Sequence, residues 1–381
     1  MKNKIFRRKF SVKIPTWALC IFLISGLLLL YNTDFNRFIP SKITYISALL
    51  AMPESAFDKI CQTKDYIMDF LTEKNVIIQK FGTLNDDENF NDLTVTPIDI
   101  IENTEKFNVS NYDFDGKIIE KTFTDEQASD SFENVFVRNV TDSKDIDIKS
   151  ILSENFYLPT NDFSKPTVLI YHTHSTETYI FNDNGLFASD FPTRNDNTAV
   201  NMIRIGDEIT KILESYGIGV IHDRTIYDSV YTGAYDKSRQ GIEKIIKDNP
   251  SVIITLDIHR DALYVDDFTR IKPAVSIDGT KAAQMMIIAG CEDGNVTDFP
   301  NWKTNLSFAV HLQNEINDKY DNLMKPIFFC MRKYNMDITP YSLLIEVGTD
   351  VNTLQEAAYS GRLLGNALSD FIKSHAKEIS K

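Results

Sequence analysis

Apolar and polar positions fall into two kinds of block over the second half of the chain. The first kind is the short apolar run: Val168-Leu-Ile-Tyr171, Val252-Ile-Ile-Thr-Leu-Asp-Ile258 and Ser342-Leu-Leu-Ile-Glu-Val-Gly348. Runs of this length between turn residues predict strands buried on both faces, as in a parallel sheet. Pro166 punctuates the start of the first. The second kind repeats its apolar residues at three- and four-residue steps and predicts helices. Ala199–Tyr216 carries Val200, Ile203, Ile209 and Leu213, and Gly217 stops it. Gly233–Asp248 is closed by Asn249-Pro250, and Trp302–Leu323 follows. A last helix opens with the capping box Thr353-Leu-Gln-Glu356 and presents Leu354, Leu364, Leu368 and Phe371. Ile218–Ile221 and Pro326–Met331 read as further short strands, and Lys272–Gly290 as a hairpin-like segment around Asp278-Gly279. Strands alternating with helices predict an α/β domain over residues 164–381, with a mainly parallel sheet flanked by helices.

The pattern upstream is different. Lys2, Lys4, Arg7, Arg8, Lys9 and Lys13 precede an uncharged apolar run over residues 14–31. A bilayer takes roughly 17–25 such residues, and a basic flank stays cytoplasmic. The expectation is a cytoplasmic tail (1–13), a single membrane anchor (14–31) and everything after it outside. A cleaved signal peptide would end at a small-residue site, and the run ends in Leu30-Tyr-Asn-Thr-Asp34 instead. Residues 53–81 have helical periodicity and suit a stalk. From Leu84 to Asp162 acidic residues dominate and apolar pieces such as Val135-Phe-Val137 are short. That composition predicts an extended, partly disordered linker with local strands, so that residues 32–163 join anchor and domain.

Net charge is −14 over 381 residues, which argues against a nucleic-acid partner. Of four cysteines, Cys20 lies in the apolar run, and Cys61, Cys291 and Cys330 match neither a disulfide framework nor a zinc ribbon. Cys330 sits in a strand-like context that suits a buried thiol.

Each of the three strongest strands carries chemically capable residues at its end. The first leads to His172, His174 and Glu177; the second to His259, Arg260 and Asp261; the third sets Glu346 among Leu344, Ile345 and Val347. In a parallel sheet these ends share one edge, where open α/β folds place their sites. Two histidines and a carboxylate form a catalytic zinc set with a position left for water. Zinc lowers the pKa of that water to about 7. A separate carboxylate must then relay the proton, and a glutamate whose pKa is raised by burial suits the task. Glu346 is the candidate. His222, after the Ile218–Ile221 strand, is placed to line the same cleft.

These segments carry a family resemblance. Tyr171-His-Thr-His-Ser-Thr-Glu-Thr-Tyr179, Asp257-Ile-His-Arg-Asp261 and Ile345-Glu-Val-Gly348 resemble stage II sporulation protein P, a family of peptidoglycan hydrolases of endospore formers. Asn201–Glu208 and Tyr231–Arg239 match its pattern too, and the resemblance covers about residues 164–373. More distantly, the domain is similar to the zinc N-acetylmuramoyl-L-alanine amidases, with His174, His259 and Glu346 at the positions of their two histidines and catalytic glutamate. The resemblance implies cleavage of the bond between N-acetylmuramic acid and L-alanine, and endopeptidase cleavage of peptide cross-links. It implies Zn2+ as cofactor, peptidoglycan as substrate, and a complex with stage II sporulation proteins D and M during forespore engulfment. It also implies a place in the mother-cell membrane, facing the intermembrane space. The amidases put their ligand glutamate just before the first helix, near Asp196 or Asn197 here. Glu177 and Asp196 are therefore both open as third ligand, with Glu177 preferred for its place three residues from His174. His172 suits the outer sphere of the metal or a substrate contact. Arg260 and Asp261 suit binding of the stem peptide, or else anchoring of their loop. Two other readings use the same sequence: a zinc peptidase confined to stem peptides, and a wall-binding scaffold without catalysis.

Overall fold

The computed structural model describes residues 114–159 and 162–376. The expected anchor at 14–31, the helical stretch at 53–81 and the linker before residue 114 lie outside the described residues. Among the described residues no helix is long and apolar enough to cross a membrane.

The apolar runs form the middle of an eight-stranded sheet. Its strands are β2 (Asp130–Phe132), β3 (Val135–Asn139), β4 (Pro166–Tyr171), β6 (Gly219–His222), β7 (Ile254–Asp261), β11 (Met285–Gly290), β12 (Ile327–Cys330) and β13 (Ser342–Thr349). The order is β2-β3-β12-β11-β13-β7-β4-β6. The β13-β7-β4-β6 half is parallel throughout, as are β3-β12 and β12-β11. β11 runs antiparallel to β13 and β2 to β3, so the sheet is mixed.

β4 alternates between two cores. Val168 and Ile170 face the main core, with α2 (Met202–Ser215), α4 (Trp302–Lys319) and α5 (Leu354–His375). Leu169 and Tyr171 face a smaller cluster built with Ile242 of α3 (Ala234–Asp248). Helices on both faces explain why the central strands read as unbroken apolar runs. The capping box forms as expected, with Thr353 accepting from the Glu356 N–H and Glu356 from the Thr353 N–H.

A second, five-stranded sheet was not expected. It contains β1 (Gly116–Lys121), β5 (Leu186–Phe187), β8 (Tyr264–Asp266), β9 (Thr269–Ile277) and β10 (Thr280–Ala283). The hairpin turn does sit at Asp278-Gly279, both at positive φ (50° and 77°), as a type I′ turn demands. Its partners are β9 and β10, however, and β11 leaves for the main sheet after Gln284. The buried ammonium of Lys272 ties this sheet down, 2.8 Å from Glu120, 2.6 Å from Asp183 and 3.0 Å from Glu356.

Residues 114–159 are folded, where an extended, partly disordered linker with local strands was expected; Val135-Phe-Val137 does lie in a strand, β3. β3 completes the edge of β12, β1 pairs with β9, and α1 (Ile148–Ser153) packs against α4. Val135, Val137, Ile148 and Leu158 join the main core. Their apolar pieces are too short to bury a face alone and gain one only by docking on strands far along the chain.

Candidate active site

β4, β7 and β13 are neighbours, so their carboxyl ends bring the candidate residues together. Glu346 and His259 are paired across the β13–β7 ladder and so project to the same face. α3 packs on that face, its Tyr235 ring stacked 6.4 Å from that of His259. His174 follows β4, and its ring stands perpendicular to that of His259 with centroids 5.4 Å apart. Two imidazoles on one tetrahedral zinc, with Zn–N bonds of about 2.0–2.1 Å, have ring centres roughly 5 Å apart. Glu177 Oε2 lies 3.9 Å from His259 Nδ1. The loop folds back to put it there, through a backbone bridge between Glu177 and Arg194. Asp196 is exposed on the same loop.

Glu346 Oε2 is buried without a hydrogen-bond partner among the described residues. Burial pushes the carboxyl up to about 8, with Asp261 and Glu177 adding to the rise and His259 and Lys325 opposing it. Burial would lower His259, but the carboxylates of Asp257, Glu177 and Glu346 outweigh it and lift the ring to about 9. A cluster of this kind, rich in proton affinity and short of partners, suits a cation. Two histidines beside a carboxylate are donors of the kind that can hold a metal. The donor atoms of His174, Glu177 and His259 do not all lie within 4.8 Å of one another; among the described residues the trio that does is Glu120, Asp183 and Glu356. That trio already surrounds the Lys272 ammonium.

Two side chains that sequence reasoning passed over complete the site. Asp228 accepts from Ser175 Oγ (3.1 Å), the Thr176 N–H (3.1 Å), Thr176 Oγ1 (2.7 Å) and Arg194 Nη1 (2.5 Å). Burial would raise its pKa, but His174 first, and then Thr176 and Ser175, hold it down at about 2. Arg194 also reaches Glu177 Oε1 at 3.3 Å, so one guanidinium braces the carboxylates beside both histidines. Above them Tyr231 lies flat on His174, ring centroids 4.6 Å apart, although the tyrosine is 61% exposed. Tyr235 stacks on Tyr334 to form a further wall. Nothing about Asp228 or Arg194 in the sequence marks them out from other charged residues of polar loops.

The family model for Stage II sporulation protein P matches residues 84–369 of the 381. The chain belongs to this family. The match begins well before residue 164, in keeping with the folded 114–159 segment. The Stage II sporulation protein P of Bacillus subtilis (strain 168) is 28% identical over 218 residues, 54% of this chain. The chain spans about half of that relative's length (51%). Among solved structures, an N-acetylmuramoyl-L-alanine amidase, AmiC2 of Nostoc punctiforme, is 13% identical with a TM-score of 0.32, covering 55% of this chain and 96% of its own. The CwlD amidase from Clostridioides difficile, solved in complex with the GerS lipoprotein, is 13% identical with a TM-score of 0.33, covering 55% and 99%. At such scores the likeness bears on neither fold nor chemistry.

Within the family segments the remaining candidates stand away from the histidine pair or serve the frame. His172 is fully buried; its Nδ1 is 2.9 Å from the Ile258 carbonyl and its Nε2 2.9 Å from Nε2 of His222. Burial, followed by His222, lowers its pKa well below the usual range. His222 does not line the cleft but continues this chain to Asp207, 3.1 Å away. α2 has Gly206 at this point because a Cβ there would lie 2.4 Å from Nε2 of His222 and 2.5 Å from that of His172. Arg260 donates to the carbonyls of Thr178 (2.9 Å), Thr193 (3.0 Å) and Asp261 (3.2 Å), pinning the loop that carries Glu177. These bonds are of the kind that anchors the loop. Asp261 faces Lys325 Nζ at 3.2 Å and is partly open to the cleft.

Proposed function

We propose that the chain is a zinc-dependent peptidoglycan hydrolase that cleaves the N-acetylmuramoyl-L-alanine amide bond and peptide cross-links during forespore engulfment. The observation that carries this reading is the meeting of His174, His259 and Glu346 at adjacent strand ends, with perpendicular imidazoles 5.4 Å apart. Family membership supports the cell-wall setting.

In this reading His174 and His259 hold the metal and Glu177 completes the set. A zinc ion held there would supply Lewis-acid polarisation of the scissile carbonyl and a water of lowered pKa. Glu346 takes the proton from the attacking water at Oε2 and returns it to the departing amide nitrogen. A pKa lifted to about 8 by burial gives it the proton affinity for both transfers. Arg194 keeps Glu177 turned toward His259. Tyr231, Tyr235 and Tyr334 give the cleft apolar walls that exclude water from the histidines.

The proposal includes the anchor at residues 14–31, with the domain outside the cytoplasm and stage II sporulation proteins D and M as partners. A reporter fused after Lys381 should then be active only outside the cytoplasm; a cytoplasmically active fusion removes the anchor. Zinc quantification on the detergent-solubilised chain tests the metal. About one zinc per chain is expected for wild type, with loss in His174→Ala and in His259→Ala while circular dichroism is unchanged. Full zinc content in either variant takes that histidine out of the metal set.

A further inference from the structure

His174 and His259 each turn one ring nitrogen to a buried carboxylate. Asp228 Oδ2 is 3.7 Å from Nδ1 of His174, and Asp257 Oδ1 is 2.8 Å from Nε2 of His259. Both nitrogens are themselves buried and make no aligned hydrogen bond. The two carboxylates are 5% and 0% exposed, and donors fix each of them. Asp228 has Ser175, Thr176 and Arg194; Asp257 has the N–H of Thr173 at 2.8 Å and its Oγ1 at 2.7 Å. An ionised carboxylate only accepts, so the imidazole nitrogen facing it is favoured as an N–H. A neutral imidazole carries one N–H, which leaves the lone pair on the other nitrogen. On His259 that other nitrogen, Nδ1, faces Glu177.

We infer that Asp228 and Asp257 are positioning residues that set opposite tautomers, so that His174 presents Nε2 and His259 presents Nδ1 to the metal. The two carboxylates come from separate places, Asp228 from the loop between β6 and α3 and Asp257 from β7 itself. The pair of histidines is thereby oriented from two sides. The inference rests on the reading of these histidines as metal ligands.

Histidine-labelled, chelator-treated full-length protein tests it by nitrogen-15 NMR, with His174→Ala and His259→Ala to assign the rings. Spectra are recorded at about pH 10, far above the ordinary imidazole range near 6.5, so that the tautomers of the neutral rings are read. Protonated Nδ1 on His174 and protonated Nε2 on His259 are expected. The reverse tautomer on either ring overturns the inference. Chelator competition then measures zinc affinity, which should fall about 10–100-fold in Asp228→Asn and in Asp257→Asn. Unchanged affinity in folded variants also overturns it. Asp257→Asn additionally loosens Thr173, so if it fails to fold, Asp228→Asn and the wild-type tautomers decide. Wild-type protein that binds no zinc overturns the metal reading and the positioning role with it, whereas wild-type binding with unmoved variants overturns the positioning role alone.

Discussion

Replacing Glu346 by Gln should separate its chemical role from its cost to folding. The amide keeps the size of the side chain but neither ionises nor relays a proton. Turnover on purified peptidoglycan should fall by roughly 10²–10⁴, the usual contribution of a positioned acid–base group, with zinc content unchanged. Stability should move the other way. Folding lifts this carboxyl from an ordinary 4.5 to about 8. Below about pH 4.5 the group is protonated folded and unfolded, and contributes nothing. Between there and about pH 8 only the native state keeps the proton, so the wild type loses stability as pH rises; above that the loss is complete. At about 1.4 kcal/mol per pH unit the ceiling is about 5 kcal/mol. Chelator-treated Glu346→Gln should therefore outlast wild type in urea at pH 9 and match it at pH 4. A variant no more stable at pH 9 would refute the burial argument. One that keeps full turnover would mean that another group relays the proton.

Glu177→Ala should weaken zinc binding in a chelator competition and Asp196→Ala should not, because only Glu177 is buried beside His259; the opposite result moves the third ligand to Asp196. Lys272→Met removes the ammonium that touches all three of Glu120, Asp183 and Glu356 and leaves Glu120 and Asp183, among the described residues, only the exposed Lys281. It should cost about 3 kcal/mol in urea unfolding, the low end for breaking a buried pair because two of the three acids are partly solvated; an unchanged midpoint would show that the acids do not depend on the ammonium. Gly206→Ala drives a Cβ into the His172–His222 pair and should cost about 1–3 kcal/mol, read as a lowered Tm; a neutral result would mean that the two rings can separate freely.

The central strands were legible because burial on both faces leaves an unbroken apolar run, which is a local signal. The strand ends were legible for the same reason: once β4, β7 and β13 are parallel, His174, His259 and Glu346 must share an edge. Neither the second sheet nor the docking of β3 on the edge of the main sheet was legible. β1 and β3 are short pieces in acidic surroundings, and their partners β9 and β12 lie more than 100 residues away. Asp228 and Arg194 were hidden likewise, since their roles come from a loop that folds back through the Glu177–Arg194 bridge. For Arg260 the sequence left stem-peptide binding and loop anchoring both open, because two of its three carbonyl partners are 67 and 82 residues away. Local pattern reveals what each element buries, whereas the polar network depends on which loops meet.

The most direct test of the central claim is mass spectrometry of peptidoglycan digested by the full-length protein with zinc. Glycan strands stripped of peptide should appear with wild type and be lost with Glu346→Gln and His174→Ala. Cut cross-links with every stem peptide still attached to glycan would make the protein a peptidase alone, and an unaltered wall under conditions where zinc is bound would contradict the hydrolytic site.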